Sequence, residues 1–457
     1  MEKVKSSWKE KIFYAFGNMG GYILWAFIGT YVTIYVTECL KPGDDLIRLL
    51  GTIILVCRFF DAGSDILMGL LIEKTHSKAG KARLWFGISI LPLTIVFFFI
   101  FFLSGLDSTA SIIVISVLYF LFTVIFYTMN NIAFNAMLPR LSNDPYDQSN
   151  ICTFNSVFTS VGGLVTAIAI PVLKAFGGED SQNSWTYFVL ILAIIALIGM
   201  SLCFFFVHEK KEIVVETRQP SRSDLRKGLA ALFRTPYFYI AILMFTINYF
   251  ISLSVIGIGK YYAQYVLNNE MAFTYFGIFP MFTMGLGLLL TPILVKAWGK
   301  KNTLVAAVSC VALGNLIGSC FTDSYVASFV GVMVKGLGSA VVMSQLFTLA
   351  PDLVRYIEAK TGLRVEGLAA SANSFGQKIG SGFGTAAVLW ALAGCGYVTG
   401  ADSQNESTLL TFKTFYWWVP FGLSVILIAL AASWNIEKKT KAIEEKKAAS
   451  ALGKEKN

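Results

Sequence analysis

Charged side chains are scarce in this sequence. Asp, Glu, Lys and Arg make up 14% of its 457 residues, against about a quarter in an ordinary soluble protein. That leaves too little charge to cover the surface of a water-soluble domain. Histidine is scarcer still: His76 and His208 both fall between apolar stretches, which argues against a histidine-ligated metal centre. The seven cysteines (39, 57, 152, 203, 310, 320 and 395) are scattered with no CxxC pair. Neither a disulfide framework nor a thiolate metal site is expected, and the cysteines read as small apolar side chains. There is no P-loop and no convincing nucleophile–base set, so an enzyme is not expected and no cofactor is called for. The basic start MEKVKSSWKEK leads into an apolar run too long for a signal peptide, with no convincing cleavage site, and is read as a retained first span.

What is abundant is apolar bulk. The chain is 55% hydrophobic, contains 38 Phe and has a mean hydropathy of +0.64. Apolar stretches long enough to cross a bilayer, about 20 residues each, recur from end to end. Twelve spans are predicted, near 11–37, 47–73, 84–105, 110–138, 151–175, 184–207, 237–265, 270–296, 302–321, 325–350, 367–397 and 410–434. The expected organisation is an N-terminal six-helix bundle over 1–207, a hydrophilic loop over 208–236, a C-terminal six-helix bundle over 237–434 and a charged tail over 435–457. This all-α transmembrane pattern of two pseudo-symmetric bundles matches the major facilitator architecture. In that fold the cargo site lies near the membrane midplane and alternating access comes from rocking of the two halves.

Lys and Arg set the orientation. Of 37, 29 fall in segments on one side and five (Lys41, Arg48, Lys174, Lys260 and Lys413) on the other, while Arg58, Lys335 and Lys378 lie inside spans. Both termini and the central loop are therefore expected in the cytoplasm, with the chain a multi-pass protein of the plasma (cytoplasmic) membrane. The same bias accounts for the net charge of +9. It gives no reason to invoke nucleic acid, although the basic face can contact anionic membrane lipid.

The sharpest anomaly is RFFDAGSDILMG, residues 58–69, inside the second span. At about 100° per residue, Arg58, Asp61 and Asp65 lie within roughly 60° of one another on one helix face, flanked by Ser64. Each charge at mid-membrane costs about 2.5–3.5 kcal/mol, so the trio must face the bundle interior or a watery cavity. Two carboxylates one turn apart repel each other unless a cation, a proton or a basic partner sits between them. Carboxylates and a hydroxyl are hard oxygen ligands suited to an alkali ion such as Na+, and a proton would serve as well. The other reading is a permanent Arg58–Asp61 pair that locks helix packing, which leaves Asp65 unexplained.

Other polar residues fall in stripes. Thr128, Asn131 and Asn135 share a face of the fourth span, and Asn18, Tyr22 and Trp25 one of the first. Buried amides and hydroxyls are costly unless hydrogen-bonded, and a sugar supplies matching groups; helix–helix hydrogen bonding would serve equally. Asn248 and Tyr262 in the seventh span, with Asn373 and Gln377 in the eleventh, could complete a pocket. Lys378, among Gly, Ala and Phe in EGLAASANSFGQKIGSGFG, needs a counter-charge, for which the second-span aspartates are the best candidates. Nearby Gly376, Gly380, Gly382 and Gly384 suit close helix packing.

Together these residues resemble the glycoside–pentoside–hexuronide:cation symporter family (melibiose permease-like) of the major facilitator superfamily. The resemblance covers nearly the whole chain. It is most specific in RFFDAGSDILMGLLIEKTHSKAGKARLW (58–85) and PDLVRYIEAKTGLRVEGLAASANSFGQKIGSG (351–382). It implies that Asp61, Asp65 and Thr128, with Ser64 in place of a family asparagine, hold the coupling cation, Na+ or H+. It also implies that Lys378 links cation and sugar sites and that Arg58 lies close by. Asn131, Asn135, Tyr22 and Ser156 stand where the family carries other sugar contacts, so melibiose itself is not the expected cargo. The implied function is cation-coupled symport of a glycoside, pentoside or acidic sugar by a chain that works as a monomer. The alternative is a cation-coupled carrier of a lipid-like or other non-sugar organic anion.

Overall fold

The computed structural model describes residues 5–210, apart from 78, 104–106 and 143, and residues 231–454, apart from 362–365 and 402. Within lipid a backbone amide must find its partner inside its own segment, and the chain obeys this: it is 87% helical, with no strand among the described residues. Helices α1 (Trp8–Ile34), α2 (Asp44–Lys74) and α3 (Lys81–Ile100) come first. They are followed by α4 (Ser108–Phe120), α5 (Thr128–Leu141), α6 (Pro145–Ala167), α7 (Ala169–Ala175) and α8 (Gln182–Phe206). After the loop come α9 (Pro236–Tyr261), α10 (Met271–Cys320), α11 (Tyr325–Thr361) and α12 (Glu366–Gly394). The chain closes with α13 (Glu406–Lys413), α14 (Val419–Ser433) and α15 (Ile436–Lys454). Wider π-helical turns extend α1 over Tyr35–Leu40 and α9 over Tyr262–Val266, and join α4 to α5 over Leu121–Tyr127 and α13 to α14 over Thr414–Trp418.

Among the described residues eight helices are long and apolar enough to cross a membrane, and a ninth arises if α6 and α7, bent by 42°, are one span. The predicted spans beyond these have physical explanations. Helix α10 holds two of them, divided at Gly299, whose φ of 76° is open to glycine and strained for other residues. Helix α2 carries Arg58, Asp61 and Asp65 in its middle, and α12 is rich in glycine and serine, so neither reads as apolar by composition. Residues 211–230 of the predicted central loop, and 455–457 of the tail, lie outside the described residues.

The chain divides into two compact units. One comprises Met1–Thr217, Ile256–Ile278 and Thr385–Thr411; the other comprises Arg218–Val255, Phe279–Gly384 and Phe412–Asn457. In the first unit α1 starts at a capping box, in which Ser7 accepts from the Glu10 amide and Glu10 accepts from that of Ser7. It then packs on α8 at a backbone distance that admits no side chain: a methyl group on Gly20 would stand 2.8 Å from the Ala196 carbonyl. A cluster of aromatic rings, with Phe101 stacked on Trp185 at 5.7 Å, fills the core between α1, α3 and α8.

At the α1 start, Lys11 pairs with Asp147 at 2.5 Å and Ser6 donates to it twice. Burial alone would raise that carboxyl, but these partners hold it well below the usual range. Nearby, the Glu209 carboxylate accepts from the backbone amides of Lys81, Ala82 and Arg83, capping α3. Arg83 donates to the Phe204 carbonyl. In the second unit α12 packs on α9 through glycine, as a methyl group on Gly376 would stand 2.6 Å from the Ile242 carbonyl.

Candidate functional site

Helix α2 is two-sided. Phe60, Leu67 and Leu71 are exposed, while Arg58, Asp61, Met68 and Ile72 on the opposite face are buried. Arg58 is 5% exposed, Asp61 3% and Thr128 3%. Charges this deep must be met by partners. Thr128 donates to Asp61 Oδ1 at 2.8 Å, and its hydroxyl also lies 3.1 Å from the Thr123 carbonyl. Ser64 Oγ lies 2.9 Å from the Asp61 carbonyl and 3.2 Å from Thr128 Oγ1. Arg58 Nη1 lies 3.5 Å from Asp61 Oδ2, while Nη2 donates to the Tyr119 hydroxyl at 2.9 Å with the guanidinium 5.7 Å from that ring. Asp65, one turn on, is half-buried.

The sequence-predicted group Arg58, Asp61, Ser64 and Thr128 is thus assembled on α2 and α5. Arg58 reaches one carboxylate oxygen of Asp61 and shares itself with Tyr119, while the other oxygen belongs to the hydroxyl pair. The set offers two carboxylates and two hydroxyls within one helical turn of α2, which suits a small hard cation or a proton. Among the described residues no three His, Cys, Asp or Glu side chains converge on a point.

Tyr119 escapes a reading of the sequence for a geometric reason. It precedes Thr128 by nine residues, which in an uninterrupted α-helix puts the two about 180° apart. The π-helical turn Leu121–Tyr127 between them widens the ring to i→i+5 and changes the phase. Both side chains then reach the same carboxylate–guanidinium pair. Such turns recur at functional sites.

Beside the cation-type group stands an aromatic one. Tyr127 stacks on Trp25 with ring centroids 6.4 Å apart, and Trp25 neighbours Tyr22 at 6.1 Å. Since Tyr127 directly precedes Thr128, a ligand against these rings is one residue from the Asp61 partner. The other polar candidates separate. Asn18 donates to Thr159 at 2.9 Å and pins α1 to α6, a packing role. Exposed Asn135 donates to half-buried Asn131, and among the described residues neither side chain bonds a neighbouring helix. Asn130, absent from the predicted stripe, is the buried residue of the three and donates to Ser89.

In the second unit Asn373 is buried, and its Oδ1 has no hydrogen-bond partner among the described residues. Gln377 and Lys378 on the same helix are half-buried. The Asn248 side-chain amide donates to the Met343 sulfur at 3.9 Å. Tyr262 is fully buried and belongs to the first unit, so the two seventh-span candidates fall in different units.

A second charged cluster lies at the far end of α1. Lys260, read from the sequence as a solvent-side charge, is 4% exposed. It pairs with Glu179 and lies 3.7 Å from Glu38. Tyr397 donates to Glu38 at 2.6 Å, and Thr37 shares a 2.5 Å hydrogen bond with Tyr261. The partners come from four distant stretches of chain, which no local pattern brings together.

Comparison with known proteins follows from this geometry. Residues 13–438 match the family model described as MFS/sugar transport protein. An isoprimeverose transporter of Lactiplantibacillus pentosus is 27% identical over 96% of this chain and 92% of its own. A putative sulfoquinovose importer of Salmonella typhimurium is 27% identical over 93% of this chain and 88% of its own. Among solved structures, a D-xylose-proton symporter superposes with a TM-score of 0.64 at 13% identity, covering 94% of this chain and 98% of that one, a likeness of fold alone.

Proposed function

The chain belongs to the MFS/sugar transport protein family, and from that premise we propose that it carries a sugar or sugar derivative across the membrane by cation-coupled symport. The observation that carries the reading is the Asp61 carboxylate: 3% exposed, held by a hydroxyl on one oxygen and a shared arginine on the other, with a second carboxylate one turn away. Two acids one helical turn apart, one of them fully buried, are stable with a positive charge between them and repel each other without it. A site with that property can be loaded and emptied.

In the proposed sequence Na+ or H+ first settles on Asp61 and Asp65, with Ser64 and Thr128 as neutral oxygens. Loading removes the net attraction that holds Arg58 to Asp61 and shifts Thr128, and with it Tyr127 and its stacked partner Trp25. Cation and cargo are thereby coupled through one residue step along the fourth span, and each raises the affinity for the other by the same factor. The loaded carrier then alternates its access with both termini in the cytoplasm.

The cargo class follows from charge. The polar stripes of the sequence carry amides and aromatic rings rather than acids, while Arg58 and Lys378 are cationic residues inside spans, so an acidic sugar is favoured over a neutral one. A named relative, the putative sulfoquinovose importer, accords with that choice. Uptake of a labelled acidic sugar into proteoliposomes is expected to be inhibited at least tenfold more strongly by glucuronides and sulfonated sugars than by neutral glycosides at equal concentration. Stronger competition by the neutral set would reverse the assignment, and competition only by lipid-like anions would replace the sugar.

A further inference from the structure

Beyond cargo transport, we propose that the second unit holds a phospholipid headgroup in a basic cavity formed where α10 breaks. The cavity, of about 300 Å³, lies at Gly299 and extends to α15. Its charges are unbalanced. Lys300 is committed to acids, donating to Asp352 at 2.6 Å and lying 3.5 Å from Glu437. Lys301 is half-buried, and its ammonium donates to the neutral amide of Asn435 at 2.7 Å. Lys438 and Lys441, one turn apart on α15, line the same cavity. Among the described residues none of Lys301, Lys438 and Lys441 meets a carboxylate. After the two acids are counted, the lining is left with an excess of positive charge that a phosphate would balance.

The walls indicate a lipid rather than a soluble anion. Trp298, 54% exposed, and buried Trp434 line the cavity, and tryptophan sits by preference at the membrane–water boundary. In the turns before Trp298, Leu286, Leu289 and Ile293 are 56%, 74% and 64% exposed and share one face of α10, with Trp298 about 140° round the helix from Ile293. An exposed apolar helix surface, with a tryptophan-edged basic cavity at the helix end, gives an acyl chain and its headgroup adjoining places to rest. Basic pockets between spans on the cytoplasmic side recognise anionic headgroups in this manner.

Native mass spectrometry of the full chain, offered phosphatidylglycerol and phosphatidylcholine at equal concentration, tests the proposal without reference to transport. One phosphatidylglycerol should be retained with at least tenfold preference. Lys438→Gln/Lys441→Gln should lose that preference, and Lys9→Gln/Lys74→Gln, which removes two exposed charges elsewhere, should keep it. Millimolar inorganic phosphate should not displace the lipid. Equal retention of the two lipids, or loss of preference in both variants alike, overturns the site. Displacement by phosphate overturns its assignment to lipid.

Discussion

Asp61→Asn abolishes cation-driven uptake. The substitution keeps the shape of the side chain and its capacity to accept from Thr128, but removes the charge that a travelling cation must meet. Removing one partner of a buried charged contact costs about 2–5 kcal/mol, and about 2.8 kcal/mol corresponds to roughly 100-fold in affinity. The initial rate of gradient-driven uptake in proteoliposomes should therefore fall on the order of 100-fold at equal protein content. Asp65→Asn separates coupling from folding, because Asp65 is half-buried and its loss does not strand the buried Arg58. It should depress driven uptake to a similar degree with the amount of folded protein unchanged. Thr128→Val keeps the branched shape, removes the hydroxyl and should raise the cation concentration for half-maximal uptake about tenfold, the effect of about 1.4 kcal/mol. Thr128→Ser should restore most of it. Wild-type uptake rates in both aspartate variants would show that this pair carries no ion.

Lys260→Met should produce the largest loss of stability among single substitutions in the first unit. Among the described residues the lysine is the positive charge that meets both Glu38 and Glu179; Lys260 and Glu38 are buried, and the Glu179 side chain is 10% exposed. Its removal leaves two carboxylates without their cation, which costs about 3–5 kcal/mol. The temperature of half-unfolding in detergent should fall by at least about 5 °C. Adding Glu38→Gln and Glu179→Gln to Lys260→Met makes the cluster neutral and should recover most of the loss, as apolar or neutral replacements of buried ion pairs do. Recovery identifies the cause as stranded charge. A single variant that unfolds with the wild type, or a triple variant no better than the single, would mean that the cluster contributes packing alone.

How legible these features were depends on the distance over which they are assembled. The α2 face was readable because three charges in an apolar run are too costly to face lipid, and helical periodicity then fixes which side they share. Ser64 and Thr128 lie beside Asp61, both on regular helix where periodicity holds. Tyr119 did not, because the π-helical turn between it and Thr128 breaks the period that any pattern reading must assume. Lys260 was placed with the solvent-side charges because it stands near the end of a span. Its partners Glu38, Glu179 and Tyr397 are remote in sequence, and only the fold brings them to it. The expectation that the stripe residues are hydrogen-bonding groups for a ligand divides in the same way: Asn18 donates to Thr159, while among the described residues Asn131 and Asn135 bond within their own helix.

The accumulation ratio of an acidic sugar in proteoliposomes, measured with an inward Na+ gradient, an inward H+ gradient and neither, reaches the central claim most directly. Symport through the Asp61–Asp65 pair predicts that internal cargo rises above the external concentration under at least one of the two gradients and returns to equality when an ionophore collapses it. Cargo that merely equilibrates, at the same rate and to the same level under all three conditions, would contradict the account.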